Sequence, residues 1–426
     1  TAIGSSSLAL NTTGEKNVAV GYVALEANTT GNQNTAVGEN ALADNTTANN
    51  NTAIGFDALG DNLTGSENTS IGAEALQKNT TADSNTAVGF RALEETTTGS
   101  SNTAVGRDSL EANTTGASNT AMGRDALSSN TTASNNTAFG FGSLLSNTTG
   151  DSNVAVGSNA LDANTTGRLN TALGKDALSA NTTANNNTSI GQGTLEVNTT
   201  GSENTALGRA ALNANTTASN NTALGYFALL TNTTGVQNVA IGSEALKSNL
   251  AASNNVAVGY KALSLNTSGT ANNALGRNAL RDCTSATGNA AYGQNSLVVV
   301  TTGNSNTAYG HDSGKELTTG SNNVFLGNDS GRANSPSGSI TTGSHNVVLG
   351  NNSTNNLFCA DTSISASDSR DKTDVADFTK GLDWIKALRP VTYRWDRRTW
   401  YGTDEEPFGT PDGSKKRARL HLGFLA

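Results

Sequence analysis

Aromatic residues make up only 5% of this chain and hydrophobic residues 35%. That is thin for the two or three compact domains that 426 residues could otherwise form. Proline occurs four times, always after residue 327, so nothing interrupts the backbone before that point. The two cysteines, Cys283 and Cys359, exclude a disulfide framework. No apolar run approaches the roughly 18 residues that a membrane-spanning helix needs. The net charge of −9 comes from scattered Asp and Glu, which argues against a nucleic-acid-binding surface. No Gly-rich phosphate loop, His-Glu-x-x-His motif or Gly-Asp calcium repeat is present, so no cofactor and no metal are expected.

Asn, Thr, Ala and Gly supply the bulk instead, and they do so in a strict order. Asparagine recurs every seventeen residues from Asn17 to Asn323, nineteen consecutive units, each with Gly at its fifth position. Disorder does not keep such a period. Fixed self-similarity is the signature of a solenoid. Seventeen residues are too few for a helical hairpin and fit one coil of a parallel β-solenoid, here taking Asn as position 1, as in Asn34 to Asn50.

The residues before each Gly predict a short strand, with Val or Ile at position 4 (Val20, Val37, Ile54). After the Gly corner a second short strand is expected at Ala-Leu, with Leu at position 9 in the first seventeen units, Leu25 to Leu297. N-T-T-G or N-T-T-A closes the coil. Alternation puts positions 2 and 4 on one face and the small Ala at position 3 on the other. One reading fills the interior with the bulky residues and packs the alanine row against a second chain, most simply in a homotrimer. The other puts the small residues inside a narrow coil and the Leu row elsewhere. Coils about 4.8 Å apart make nineteen units a rod on the order of 90 Å long. Asparagines at positions 1 and 12 are expected to stack as amide ladders, with Cys283 in one of the position-12 slots. N-T-T also fits the glycosylation sequon, but a structural ladder explains it better.

The pattern N-T-A-V-G-x-x-A-L-x-x-N-T-T-G resembles the head repeats of trimeric autotransporter adhesins and related phage fibre shafts. The resemblance covers roughly residues 1 to 327 and implies a left-handed parallel β-roll in a homotrimer. Chain beginning at Thr1-Ala2-Ile3-Gly4 starts in mid-unit, so a longer polypeptide is expected.

The repeat changes after Asn323. The Leu slot becomes Gly314 and Gly331, and the last unit, at Asn346, arrives after 23 residues rather than 17, with a loop around S-P-S-G-S-I. Residues 1–327 are therefore read as the shaft, 328–358 as irregular capping coils, and 359–426 as a small, incomplete α+β domain. In that domain Phe378, Leu382, Ile385 and Leu388 predict one helix across 375–388, stopped at Arg389-Pro390. Val391, Tyr393 and Trp395 predict a strand, and His421 to Ala426 begins another.

S-D-S-R-D-K (Ser367 to Lys372), L-R-P-V-T-Y-R-W (Leu388 to Trp395) and H-L-G-F-L-A (His421 to Ala426), in that order, resemble the intramolecular chaperone domain of phage tail fibres and tailspikes, first described in endosialidases. That resemblance implies trimer assembly followed by self-cleavage at Ala366–Ser367. Ser367 would be the nucleophile and Lys372 the base, with Asp368 and Arg370 structural. A lysine can serve as base where burial lowers its pKa. His311-Asp312 could hold a metal at a threefold axis, but no second ligand stands at His-x-His spacing. Lys415-Lys416-Arg417 reads as a solvated loop.

The expected function is a structural fibre shaft of a phage or phage-like particle, in the virion or extracellular, with no enzymatic activity beyond self-cleavage. Its partners would be itself, other fibre or baseplate proteins, and a host-surface glycan or protein. The alternative is a bacterial trimeric surface adhesin. An ice- or carbohydrate-binding solenoid is disfavoured, because adjacent Thr-Thr side chains point apart.

Overall fold

The computed structural model describes residues 1–356, 389–393, 414 and 421–425. It divides into two units, 1–356 and 357–426. The first is a parallel β-solenoid. Strand β1 (Ala2–Ile3) is followed by nineteen three-residue strands, β2 (Val18–Val20) to β20 (Val324–Leu326), and by β21 (Val347–Leu349). Each strand pairs in parallel with the next, one coil on, as in Thr35↔Thr52, Ala36↔Ala53 and Val37↔Ile54. The register survives the 23-residue unit, where Val324 still pairs with Val347. In the second unit β22 (Arg389–Tyr393) and β23 (His421–Leu425) form an antiparallel pair, where the sequence predicts two strands. The expected helix at 375–388 lies outside the described residues.

Two expectations about the coil are corrected. The Ala-Leu segment is not a second strand. Positions 6–11 run through successive turns, with left-handed backbone at positions 7 and 9, as at Asn40 (φ 59°) and Leu42 (φ 53°). The segment still bonds coil to coil: Asn40 N donates to the Tyr22 carbonyl and Leu42 N to the Ala58 carbonyl, both at 3.0 Å. A left-handed leucine costs about 1–2 kcal/mol. Burying its side chain returns about 1.5–3 kcal/mol, and the inter-coil hydrogen bond adds to that. Burial wins, coil after coil.

The faces are also the reverse of the first reading. The alanines at positions 3 and 8 and the leucine at position 9 are fully buried and form one continuous core, while Val and Ile at position 4 point outward. The reason is volume. With Leu at position 9 reaching across the coil, the space opposite it holds a methyl group and little more. Where serine replaces the inner alanine, its hydroxyl finds a carbonyl, as Ser70 does with Ala75 at 2.7 Å.

Asparagines hold the corners. At position 1 the Asn51 backbone N–H donates to Asn34 Oδ1 (3.0 Å) and its side-chain amide donates to the Gly65 carbonyl (2.8 Å). At position 12 Asn45 Nδ2 donates to Asn28 Oδ1 of the previous coil (2.9 Å). Both columns are buried, and their amides bond to neighbouring coils and, at position 12, also to a carbonyl of their own coil, as Asn45 Nδ2 does to Ala48, with one exception. Thr29 adds its own bond, hydroxyl to the Thr46 carbonyl at 3.0 Å, and the pattern repeats along position 13.

One rung fails informatively. Thr96 replaces asparagine at position 12, and Asn79 Oδ1, facing it from the previous coil, is buried without a partner. Thr96→Asn restores the donor and is expected to raise local stability by about 1 kcal/mol. Slower hydrogen exchange of amides in the coils around residues 79–113 would read it out; unchanged exchange would remove the ladder's claimed contribution.

Candidate functional site

The most extensive candidate surface is the outer face of the parallel sheet. Positions 2 and 4 of every strand point away from the coil interior. Strands β1 to β21 contain no Asp, Glu, Lys or Arg, in a chain with 26 basic and 35 acidic residues. The position-4 column is apolar from end to end and open to solvent. Ile54 is 39% exposed, Phe139 51% and Tyr309 63%. Parallel sheets are ordinarily covered on both faces. This one is covered on one face by its own coil. A continuous exposed apolar stripe marks an interaction surface.

Beside it, past the Gly corner, runs a column the sequence reading missed. Position 6 carries the exposed rings of Tyr22, Phe56, Phe90, Phe141, Tyr226 and Tyr260. Cations from the same column sit over several of them: Arg124 Cζ is 4.6 Å from the Phe141 centroid and Arg107 Cζ 5.9 Å from that of Phe90. The available signal was compositional, since six aromatic and five Lys or Arg residues occupy this position in nineteen units. A third ladder also went unread. At position 16 a short acceptor caps the backbone N–H of the preceding coil, as Asn49 Oδ1 does for Asn32 (2.8 Å) and Asp83 Oδ1 for Ser66 (2.7 Å). Ser, Asn, Asp and Thr all serve there, so no single letter repeats.

Residues nominated for chemistry in the solenoid are structural. Cys283 is buried in its ladder slot, its Sγ 3.8 Å from the Ala286 carbonyl, and burial pushes its thiol up to about 11. At ordinary pH it stays protonated and unreactive. His311, Asp312 and Asp329 do bring three potential ligand atoms within 4.8 Å of one another. Their carboxylates are already engaged, however. Asp312 accepts from Lys315 Nζ (2.8 Å), Arg332 Nη1 (3.0 Å) and Asn295 Nδ2 (2.9 Å), and Arg332 also bonds Asp329. Burial acts to raise the Asp312 pKa, but the hydrogen bonds from Lys315 and Asn295 outweigh it and hold the carboxyl below its usual value. A cation would have to displace two side-chain cations, so these residues fit an ion-pair network better than a metal. Apart from the half-buried Asn11, the sequon asparagines of N-T-T are buried, out of reach of a glycosylating enzyme in the folded coil.

Ser367, Lys372, Asp368, Arg370 and the Ala366–Ser367 bond lie outside the described residues. What bears on them is likeness to a family. Residues 367–426 match the Peptidase_S74 family, the chaperone of endosialidase. The match begins at Ser367, the first residue of the S-D-S-R-D-K motif, and includes the antiparallel pair β22–β23. Its position behind a β-solenoid fits the plan of a fibre. No curated protein sequence matches the chain.

Proposed function

We propose that residues 1–356 form the rigid shaft of a homotrimeric fibre on a phage or phage-like particle, and that the chaperone segment behind it assembles the three chains. The observation that carries this reading is the charge-free, solvent-open face of a parallel sheet along β1 to β21, with the chaperone match directly after it. Such a face needs a cover, and a segment of the chaperone family is a means of bringing like chains together. Three is the stoichiometry that both sequence resemblances imply. The same match favours a particle fibre over a bacterial surface adhesin, which would share the shaft. The fibre would be extracellular or part of the virion. It would join other fibre or baseplate proteins at one end and meet a host-surface glycan or protein at the other.

Self-cleavage belongs to this proposal. A neutral Lys372 amine takes the Ser367 hydroxyl proton, and the oxygen attacks the Ala366 carbonyl. The peptide C–N bond breaks as an ester forms, and the Lys372 ammonium returns the proton to the serine nitrogen, which leaves as an amine. Water then splits the ester, leaving a carboxylate at Ala366 and a free hydroxyl on Ser367. Mass spectrometry of the mature protein is expected to find a C-terminus at Ala366, and Ser367→Ala is expected to reduce cleavage at least a hundredfold. An uncleaved wild type, or a Ser367→Ala chain cut at the same bond, would remove this step. Sedimentation equilibrium tests the trimer separately: a monomer would sink the fibre reading.

A further inference from the structure

A uniform apolar column creates a problem for any assembly of identical chains. Two copies shifted by one coil lose only one coil of contact, so many registers are nearly equal. The position-4 column of this chain is not uniform. It is aliphatic apart from Met122 and three aromatics, Phe139, Tyr292 and Tyr309. Phe139 and Tyr309 are the more exposed of these, at 51% and 63%, and the rings of Tyr292 and Tyr309 lie 5.6 Å apart, tilted by 36°.

Their spacing matters. Phe139 stands nine coils before Tyr292 and ten before Tyr309, and the tyrosines are one coil apart. The three separations, nine, ten and one, are all different. A slip of one, nine or ten coils aligns a single aromatic with another, and every other slip aligns none. Only zero displacement brings all three levels into coincidence. Elsewhere a ring would meet the space shaped for a Val, Ile or Leu and leave a gap at its own level, and both overpacking and cavities disfavour the arrangement.

We infer that the sheet's outer face is covered by a second copy of this chain in coil-for-coil register, and that Phe139, Tyr292 and Tyr309 set that register. The inference rests on the fibre reading above. The occupant is a second copy because the face runs unbroken along twenty-one strands and carries no charge for an oppositely charged partner to meet. A partner repeating at the same coil spacing covers every level of such a face, and a copy of this chain is one by construction. Positions 2 and 4 lie outside the core, so changing the three aromatics leaves the coil interior intact.

The test uses the full chain with Cys359→Ser and a pyrene label on Leu207→Cys, a position-4 residue 46% exposed. Copies in register bring the labels to one level, so strong excimer emission is expected. Phe139→Leu, Tyr292→Leu and Tyr309→Leu together keep the column apolar and erase its markers. The triple variant is expected to stay multimeric by sedimentation while its excimer-to-monomer ratio falls at least twofold. Separately labelled Leu207→Cys and Leu224→Cys chains, co-assembled, are expected to gain mixed excimer only with the markers erased. A triple variant with undiminished excimer emission would overturn the role of the aromatics. A multimeric parent chain without excimer emission would overturn the in-register contact while leaving the fibre intact. A monomeric parent would remove both.

Discussion

Phe325→Ala is expected to destabilise the last coils of the solenoid by about 3–5 kcal/mol, the range for emptying a buried phenylalanine site. Phe325 is fully buried at position 3, where the preceding units carry Ala or Ser. The room for its ring comes from two missing leucines. Position 9 is Leu in the first seventeen units but Gly314 in the unit before the ring and Gly331 in the ring's own unit. A Cβ on Gly331 would lie 2.4 Å from Phe325 Cε1, and one on Gly314 2.7 Å from both Phe325 Cδ2 and Leu297 Cδ2. One aromatic thus replaces two aliphatic side chains, and the exchange ends the regular core. It follows that Gly314→Leu alone should also destabilise, through overpacking, by about 1–3 kcal/mol. Combined with Phe325→Ala it should recover much of the loss. Gly314 has φ +58°, close to the 57° of Leu93, so leucine can adopt that backbone. Hydrogen exchange at residues 307–330 reads all three variants. A double variant whose loss equals the sum of the singles would show that the ring and the glycines are uncoupled.

This swap shows what the sequence could and could not reveal. Gly314 and Gly331 were visible as departures from the repeat, but nothing in one dimension says that Phe325 fills the space they leave. The same limit explains the inverted faces. Alternation dictates that Thr35 and Val37 share a face and Ala36 takes the other. Which face is interior depends on the width of the coil, set by Leu42 reaching across it. Leu42 itself misled, because an Ala-Leu pair after a Gly corner looks like a strand, whereas closing a seventeen-residue coil demands left-handed backbone at Asn40 and Leu42. Asn34 and Asn45 were legible because both ladders need one residue type. The position-16 ladder was not, because Ser66, Asp83 and Asn49 do one job with different side chains. Ser367 and Lys372 stand in a motif but outside the described residues, and the family match that bears on them begins at Ser367.

The invariant glycine at position 5 carries the sharpest expectation for the regular coils. Gly174→Ala should cost about 3–5 kcal/mol, combining backbone strain of about 1–3 kcal/mol with overpacking of similar size. Gly174 sits at φ +137°, which L side chains rarely adopt, and an added Cβ would stand 2.6 Å from the Gly191 carbonyl oxygen of the next coil. That oxygen cannot simply withdraw. The Gly191 N–H is bonded to the Leu173 carbonyl at 2.7 Å and the Gly174 N–H to the Val156 carbonyl at 2.8 Å, so relief for one coil strains the next. Gly167 is the control. It too would bring a Cβ close to a carbonyl, 2.4 Å from that of Ala184, but its φ is not left-handed. Alanine already fills the equivalent position at Ala133 and Ala184, where it is buried and its carbonyl still accepts the ladder bonds from Asn130 and Asn181. Gly167→Ala is therefore expected within about 1 kcal/mol of the parent, since coils that carry alanine there form the same ladder bonds. Denaturant midpoints for the two variants, with exchange rates at residues 156–191, decide it. Equal stability for Gly174→Ala and Gly167→Ala would mean that the repeat keeps its glycine for some reason other than the stacking of one corner upon the next.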